Sequence, residues 1–255
     1  MNESTQQLLT TIAENEQRVY DAGIEKGKNA RDAEWWNTYL TPIRTGKACN
    51  YLFAGPAWNG HTFYPTEDIV IKDNSENLFN RFNWQFHSPV IDLAQRLEEC
   101  GVAVAIDLSQ ASNCSSTFYY AYISRIPKFI CNGAKYTTLI LVFSNAKYLV
   151  TIDEWVIRDD GTNIFDRTFT GATALKNIKI TGVIGRTISF SDCPLTIASL
   201  KNIISCLKNY KDTENEGKYT ITFSSNCWAA LEESGPAPNG STWQDYVTST
   251  LGWSI

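Results

Sequence analysis

The sequence is poor in the residues that carry most side-chain chemistry. Two histidines, His61 and His87, occur in 255 residues, so any Ser–His or Cys–His nucleophile pair must use one of them. His61 lies in an aromatic stretch and His87 beside Trp84, Phe86 and Pro89, settings that suit structural histidines better than general bases. No P-loop, G-x-G-x-x-G, H-E-x-x-H or G-x-S-x-G is present. The seven cysteines, at 49, 100, 114, 131, 193, 206 and 227, are odd in number and include no C-x2-C pair. That pattern argues against zinc and for buried thiols in a reducing compartment. The best adjacent carboxylate pairs are Asp153–Glu154 and Asp159–Asp160. Neighbours on a strand should point to opposite faces, and Asp159–Asp160 precede Gly161 as turn formers. The expectation is a non-enzymatic protein with no catalytic residue, no metal ligand and no cofactor.

A basic excess is also missing. Lys and Arg number 22 against 27 Asp and Glu, a net charge of −5, which excludes a phosphate-tracking surface and with it nucleic acid as a partner. Apolar runs such as Leu139–Phe143 are far too short to cross a bilayer, so no membrane insertion is expected. The opening MNESTQQLL has no basic region followed by an apolar stretch, which predicts synthesis in the cytoplasm without a signal peptide. Any role outside the cell would then be reached by assembly rather than by ordinary secretion. The hydrophobic fraction of 43% and charged fraction of 19% are those of a folded chain.

What the sequence does contain is a ladder. Phe118, Phe143, Phe169 and Phe190 are each followed three residues later by a small residue: Ala121, Ala146, Ala172 and Cys193. Two copies continue as F-x2-A-x2-L-x2-I, through Leu149 and Ile152 and through Leu175 and Ile178. Ile126, Ile152 and Ile178 repeat at steps of 26 residues. Fixed offsets at a fixed interval predict an α/β repeat solenoid, each turn burying one ring, one small residue and two aliphatics.

These residues, above all TFTGATALKNI at 168–178, resemble the BspA-type leucine-rich repeats. The opening IAENEQRVYDAGIEKG at 12–27 and the closing GWSI are similar to short leucine-rich-repeat proteins of gut Firmicutes and their phages. The resemblance implies right-handed coils with short strands, an N-terminal helix and a C-terminal helix–strand cap. Residues 1–44 would be a helical leader, 45–195 the solenoid with a helix inserted near 91–100, and 196–255 the cap. In the leader, Leu8, Ile12, Asn15, Val19 and Ala22 form a seam that reads either as an oligomerisation stalk, a trimer for instance, or as a helix lying on the first coil.

The candidate binding residues are aromatic and polar. Tyr119, Tyr120 and Tyr122 stand where other copies have small or polar residues, and read either as a contact patch or as packing beneath the inserted helix. Trp58, His61 and Tyr64 fall in a segment expected to loop out. Asp153 and Lys179 should face outward from their strands. The function expected from this set, together with the resemblance, is recognition of a host-surface protein or polysaccharide by a phage or prophage tail or baseplate component, in company with other virion proteins. A bacterial surface adhesin and a glycan-active enzyme are the alternatives.

Overall fold

The computed structural model describes residues 65, 68–70, 90–111, 113–133 and 138–255. The leader, its seam of Leu8, Ile12, Asn15, Val19 and Ala22, both histidines, Trp58 and Tyr64 lie outside the described residues.

The centre of the molecule is one six-stranded sheet. Its strands are β1 (Ile69–Val70), β2 (Ile91–Asp92), β3 (Ala105–Asp107), β4 (Ile123–Ile130), β5 (Thr151–Val156) and β6 (Asn177–Thr181). The order is β1-β3-β4-β5-β6, with β2 pairing beside β4, and all these pairings are parallel. A second, two-stranded parallel sheet joins β7 (Ile188–Phe190) to β8 (Ile221–Phe223). Four helices are described: α1 (Leu93–Glu99), α2 (Ile197–Ser205), α3 (Ser225–Glu233) and the short α4 (Trp243–Asp245), which runs into a π-helical turn over Tyr246–Thr250.

The expected leucine-rich-repeat-like solenoid is therefore corrected to an α/β fold with a mostly parallel central sheet. Parallel strands joined by returns of nearly equal length place like residues at a constant step, whatever the larger architecture. The 26-residue period reports those returns and does not by itself specify a one-dimensional stack. Strand pairing decides the matter: β2 branches off beside β4 instead of following in file, and helices flank the sheet.

Inside, the rings do meet. Phe118, Phe143, Phe169 and Phe190 stack at centroid separations of 5.7, 5.3 and 4.5 Å, and Phe223 adds a fifth ring at 5.8 Å. Phe129 and Trp155, from β4 and β5, meet this column edge-on at 5.2–5.9 Å. Offset stacks and edge-to-face contacts are the arrangements that ring quadrupoles favour. Ala121, Ala146, Ala172 and Cys193 are all buried in the small-residue slot. Ile126 pairs with Ile152, and Ile152 with Ile178.

Two helices cover the sheet. α1 buries Leu93, Ala94 and Leu97, is capped by the Asp92 carboxylate on the Gln95 amide, and ends at Gly101 with φ +69°. The following strand, β3, begins only at Ala105, and Ala103 and Val104 before it are exposed. α2 buries Ser199, Leu200, Ile203 and Ile204. Ile197, its first residue, is 39% exposed, since the buried seam begins one turn further on.

The polar residues on the inner side of α2 close the edge of β6. Ser199 Oγ accepts the Ile178 amide at 2.9 Å and donates to the Lys176 carbonyl. Asn202 accepts the Ile180 amide through Oδ1 at 2.6 Å and donates to the Ile180 carbonyl through Nδ2 at 3.1 Å. Side chains thus replace the strand that would otherwise pair here, which protects the edge from association.

Candidate functional site

Two surfaces of the sheet present functional-looking side chains. The first is its outer face. A β-strand should alternate, yet Ile152 and Trp155 of β5 are both buried with Asp153 and Glu154 between them. The cause is a bulge. Ile152 pairs with Ile178 and Trp155 with Ile180, so three steps on β5 match two on β6. The extra residue turns both carboxylates outward, which corrects the expectation that they face opposite ways. Asp153 accepts from Arg125 Nε at 2.8 Å, and Arg125 also approaches Asp92 at 3.9 Å. Glu154 accepts from Lys128 at 3.0 Å, Lys179 at 3.4 Å and the Thr181 hydroxyl at 2.8 Å. The Thr181 and Lys128 contacts hold the Glu154 carboxyl down at about 2, against an ordinary 4.5. Asp153 and Lys179 thus both lie on the outer side as expected, and both are engaged by neighbours. A Glu154 carboxyl held that low is a poor proton donor near neutral pH.

The second surface is the rim where the strands begin. Backbone hydrogen bonds fix its order: Ile91 N–H to the Tyr122 carbonyl, Val150 to Ser124, Lys176 to Val150, and Thr196 to Lys176. Neighbouring strands lie about 5 Å apart, so the row runs roughly 15–20 Å. Along it come Val90, Tyr122, Tyr148, Val150, Lys176 and Ile197. Val90, Tyr148, Val150 and Ile197 are four of the seven large apolar residues more than one-third exposed among the described residues. Their concentration on one rim is unlike the scattered apolar exposure of an ordinary surface. The Tyr122 and Tyr148 rings meet at 4.9 Å, tilted by 47°.

The three tyrosines singled out in the sequence divide between two places. Tyr119 and Tyr120 pack edge-to-face on each other at 4.5 Å, both half-buried. Tyr122 joins the rim and meets Tyr148. Among the described residues no ring contact links the two pairs. Tyr120 has φ +55°, and so do its counterparts two places after each ring, Asn145 (+58°) and Gly171 (+72°). Asn and Gly adopt this conformation cheaply and Tyr does not. Ser116, Leu141 and Arg167, two places before each ring, are also left-handed, so the strain belongs to the turn and not to Tyr120 alone.

Tyr148 was not visible as a candidate in the sequence, although its place three residues before β5, beside Tyr122, was a usable signal. The bulge had one as well: β4 and β5 space their inward residues by three, Ile126–Phe129 and Ile152–Trp155, where β6 spaces Ile178–Ile180 by two.

The remaining candidates are structural. Asp160 is held by the Arg158 guanidinium and by Thr162 in a turn whose Gly161 has φ +72°, and the same contacts push its carboxyl well below the usual range. Cys131 accepts the Trp155 indole N–H at 2.8 Å, and burial pushes its thiol well above the ordinary value. Burial also raises Cys193. Neither provides a ready thiolate. Among the described residues no group of three or more His, Cys, Asp or Glu could hold a metal, and no helix is long and apolar enough to cross a membrane.

No protein-family model matches the chain, and neither a curated protein nor a solved structure matches it.

Proposed function

We propose that this chain is a binding protein without catalytic activity, which docks on a surface component of a cell through the rim of Val90, Tyr122, Tyr148, Val150 and Ile197. The observation that carries the reading is the contrast in engagement. The charged face is satisfied internally, whereas the rim leaves aromatic and aliphatic area in water. Tyrosine suits such a surface because it offers area and a hydroxyl at small entropic cost. The low Glu154 carboxyl favours binding over glycan hydrolysis at this pair, since hydrolysis needs a carboxyl able to deliver a proton. A place in a phage or prophage tail or baseplate is part of the proposal. Its support is the resemblance carried by IAENEQRVYDAGIEKG at 12–27 and by GWSI, not the repeat spacing, which the parallel sheet accounts for.

Retention on whole cells tests the docking surface. Tyr122→Ala with Tyr148→Ala should abolish pulldown, while Tyr119→Ala with Tyr120→Ala should leave most of it. Retention unchanged by the first pair would remove the rim from consideration. Incubation with cell-wall polysaccharide tests the absence of catalysis: no new reducing ends are expected, and their appearance would overturn it.

A further inference from the structure

A cavity of about 310 Å³ is lined by none of the rim residues. It is bounded by the turn after β7 and by the start of α3. Its polar lining is Thr173, Ser191, Asp192, Ser224 and Asn226, with the buried Cys227 among its walls. The volume is at the small end for ligand sites, which run from about 300 to 1,000 Å³.

The chemistry of the lining is specific. Asp192 accepts the Gly171 amide at 2.7 Å through Oδ2 and the Ser191 hydroxyl at 3.3 Å through Oδ1. A carboxylate has about four acceptor positions, so capacity remains. Ser224 Oγ accepts the Cys227 amide as the N-cap of α3, which leaves its hydroxyl proton to donate. The Thr173 hydroxyl and Asn226 amide have no side-chain hydrogen bond among the described residues and add both donors and acceptors. No cation lines the cavity, and Asp192 repels anions. Mixed donors and acceptors around a small space, without positive charge, match a neutral polyhydroxylated ring.

The position extends the match. Thr151 pairs with Asn177, so Ala174, three residues before Asn177, corresponds to Tyr148, three before Thr151. Thr173, in the cavity wall, immediately precedes that position, whose backbone is one strand step from that of Tyr148. Aromatic faces stack on the apolar face of a sugar while hydroxyls are bound at its edges.

We infer that this cavity is a subsite for a neutral saccharide, with Tyr148 as the platform for an adjoining sugar. The inference deepens the docking proposal and rests on it only for that second contact.

Titration of the isotopically labelled full chain with methyl glycosides tests it. The probes are a neutral hexoside, a neutral N-acetylhexosaminide and a hexuronide, each at millimolar concentration. At least one neutral glycoside should shift the Thr173, Ser191 and Asn226 amide signals saturably, with the hexuronide about tenfold weaker. Thr173→Val and Asn226→Ala, both at exposed positions, should each weaken binding about tenfold without altering the fold. The subsite is overturned if neither neutral glycoside gives saturable shifts, if the hexuronide binds as tightly, or if both variants bind like the parent. Absent shifts alongside cell retention that depends on Tyr122 and Tyr148 would sink the subsite and leave the docking proposal standing. Saturable shifts without any cell retention would do the reverse.

Discussion

The outer face of the sheet and the rim at its strand starts meet on β4, β5 and β6, yet they treat their side chains oppositely. On the face, Arg125, Lys128, Asp153, Glu154 and Lys179 are joined by ion pairs of 2.8–3.4 Å. On the rim, Tyr148, Val150 and Ile197 are exposed, and the Tyr122 ring meets that of Tyr148. A surface whose charges are already matched offers a partner little, because docking there must first separate pairs that water and neighbours satisfy. A surface with unmatched apolar area gains by being covered. The difference is why the charged residues first expected to bind are assigned to stability and the tyrosines to recognition.

The largest effect should come from removing what both surfaces stand on. Phe169 is stacked between Phe143 and Phe190 and meets Trp155 edge-on, so Phe169→Ala should cost about 3–5 kcal/mol in denaturant unfolding and loosen face and rim together. Next comes the sealed edge. Asn202→Leu leaves the Ile180 amide without its partner and the Ile180 carbonyl with only the Cys206 thiol at 3.3 Å, for a loss of about 1–3 kcal/mol and a concentration-dependent rise in sedimenting mass.

A smaller effect separates face from rim by pH. The Glu154 carboxyl is held at about 2 in the folded protein against an ordinary 4.5, so its stabilisation is complete above about 4.5 and is lost as pH falls through about 2. Glu154→Gln should flatten melting temperature against pH in that window, cost less than about 1 kcal/mol near neutrality, and leave cell retention unchanged. The smallest stability change belongs to the rim: Tyr122→Ala with Tyr148→Ala should shift unfolding by about 0.5 kcal/mol or less per residue.

Much of the interior was legible because packing writes itself into residue spacing. The rings, the small slot beside each and the Ile126–Ile152–Ile178 register all follow from the fixed step. The architecture was not, since an equal step is shared by any run of parallel strands with equal returns, and only the pairing of β2 with β4 distinguishes them. Asp153 and Glu154 were misassigned because strict alternation ignores bulges. The roles of Ser199 and Asn202 were not legible, because nothing local to α2 reveals the bare strand edge they serve. Tyr148 was missed for a similar reason: its partner Tyr122 is 26 residues away and their contact exists only across paired strands. Trp58, His61 and Tyr64 lie outside the described residues.

The most direct measurement sets the two surfaces against each other in one binding assay. Affinity for whole cells is compared between Tyr122→Ala/Tyr148→Ala and Arg125→Ala/Lys179→Ala, each verified as folded. The rim pair should lose at least about tenfold, as expected when two aromatic contacts worth ~1 kcal/mol each are removed, and the face pair should stay within about twofold. The opposite order, with the face pair crippled and the rim pair unaffected, would contradict the account.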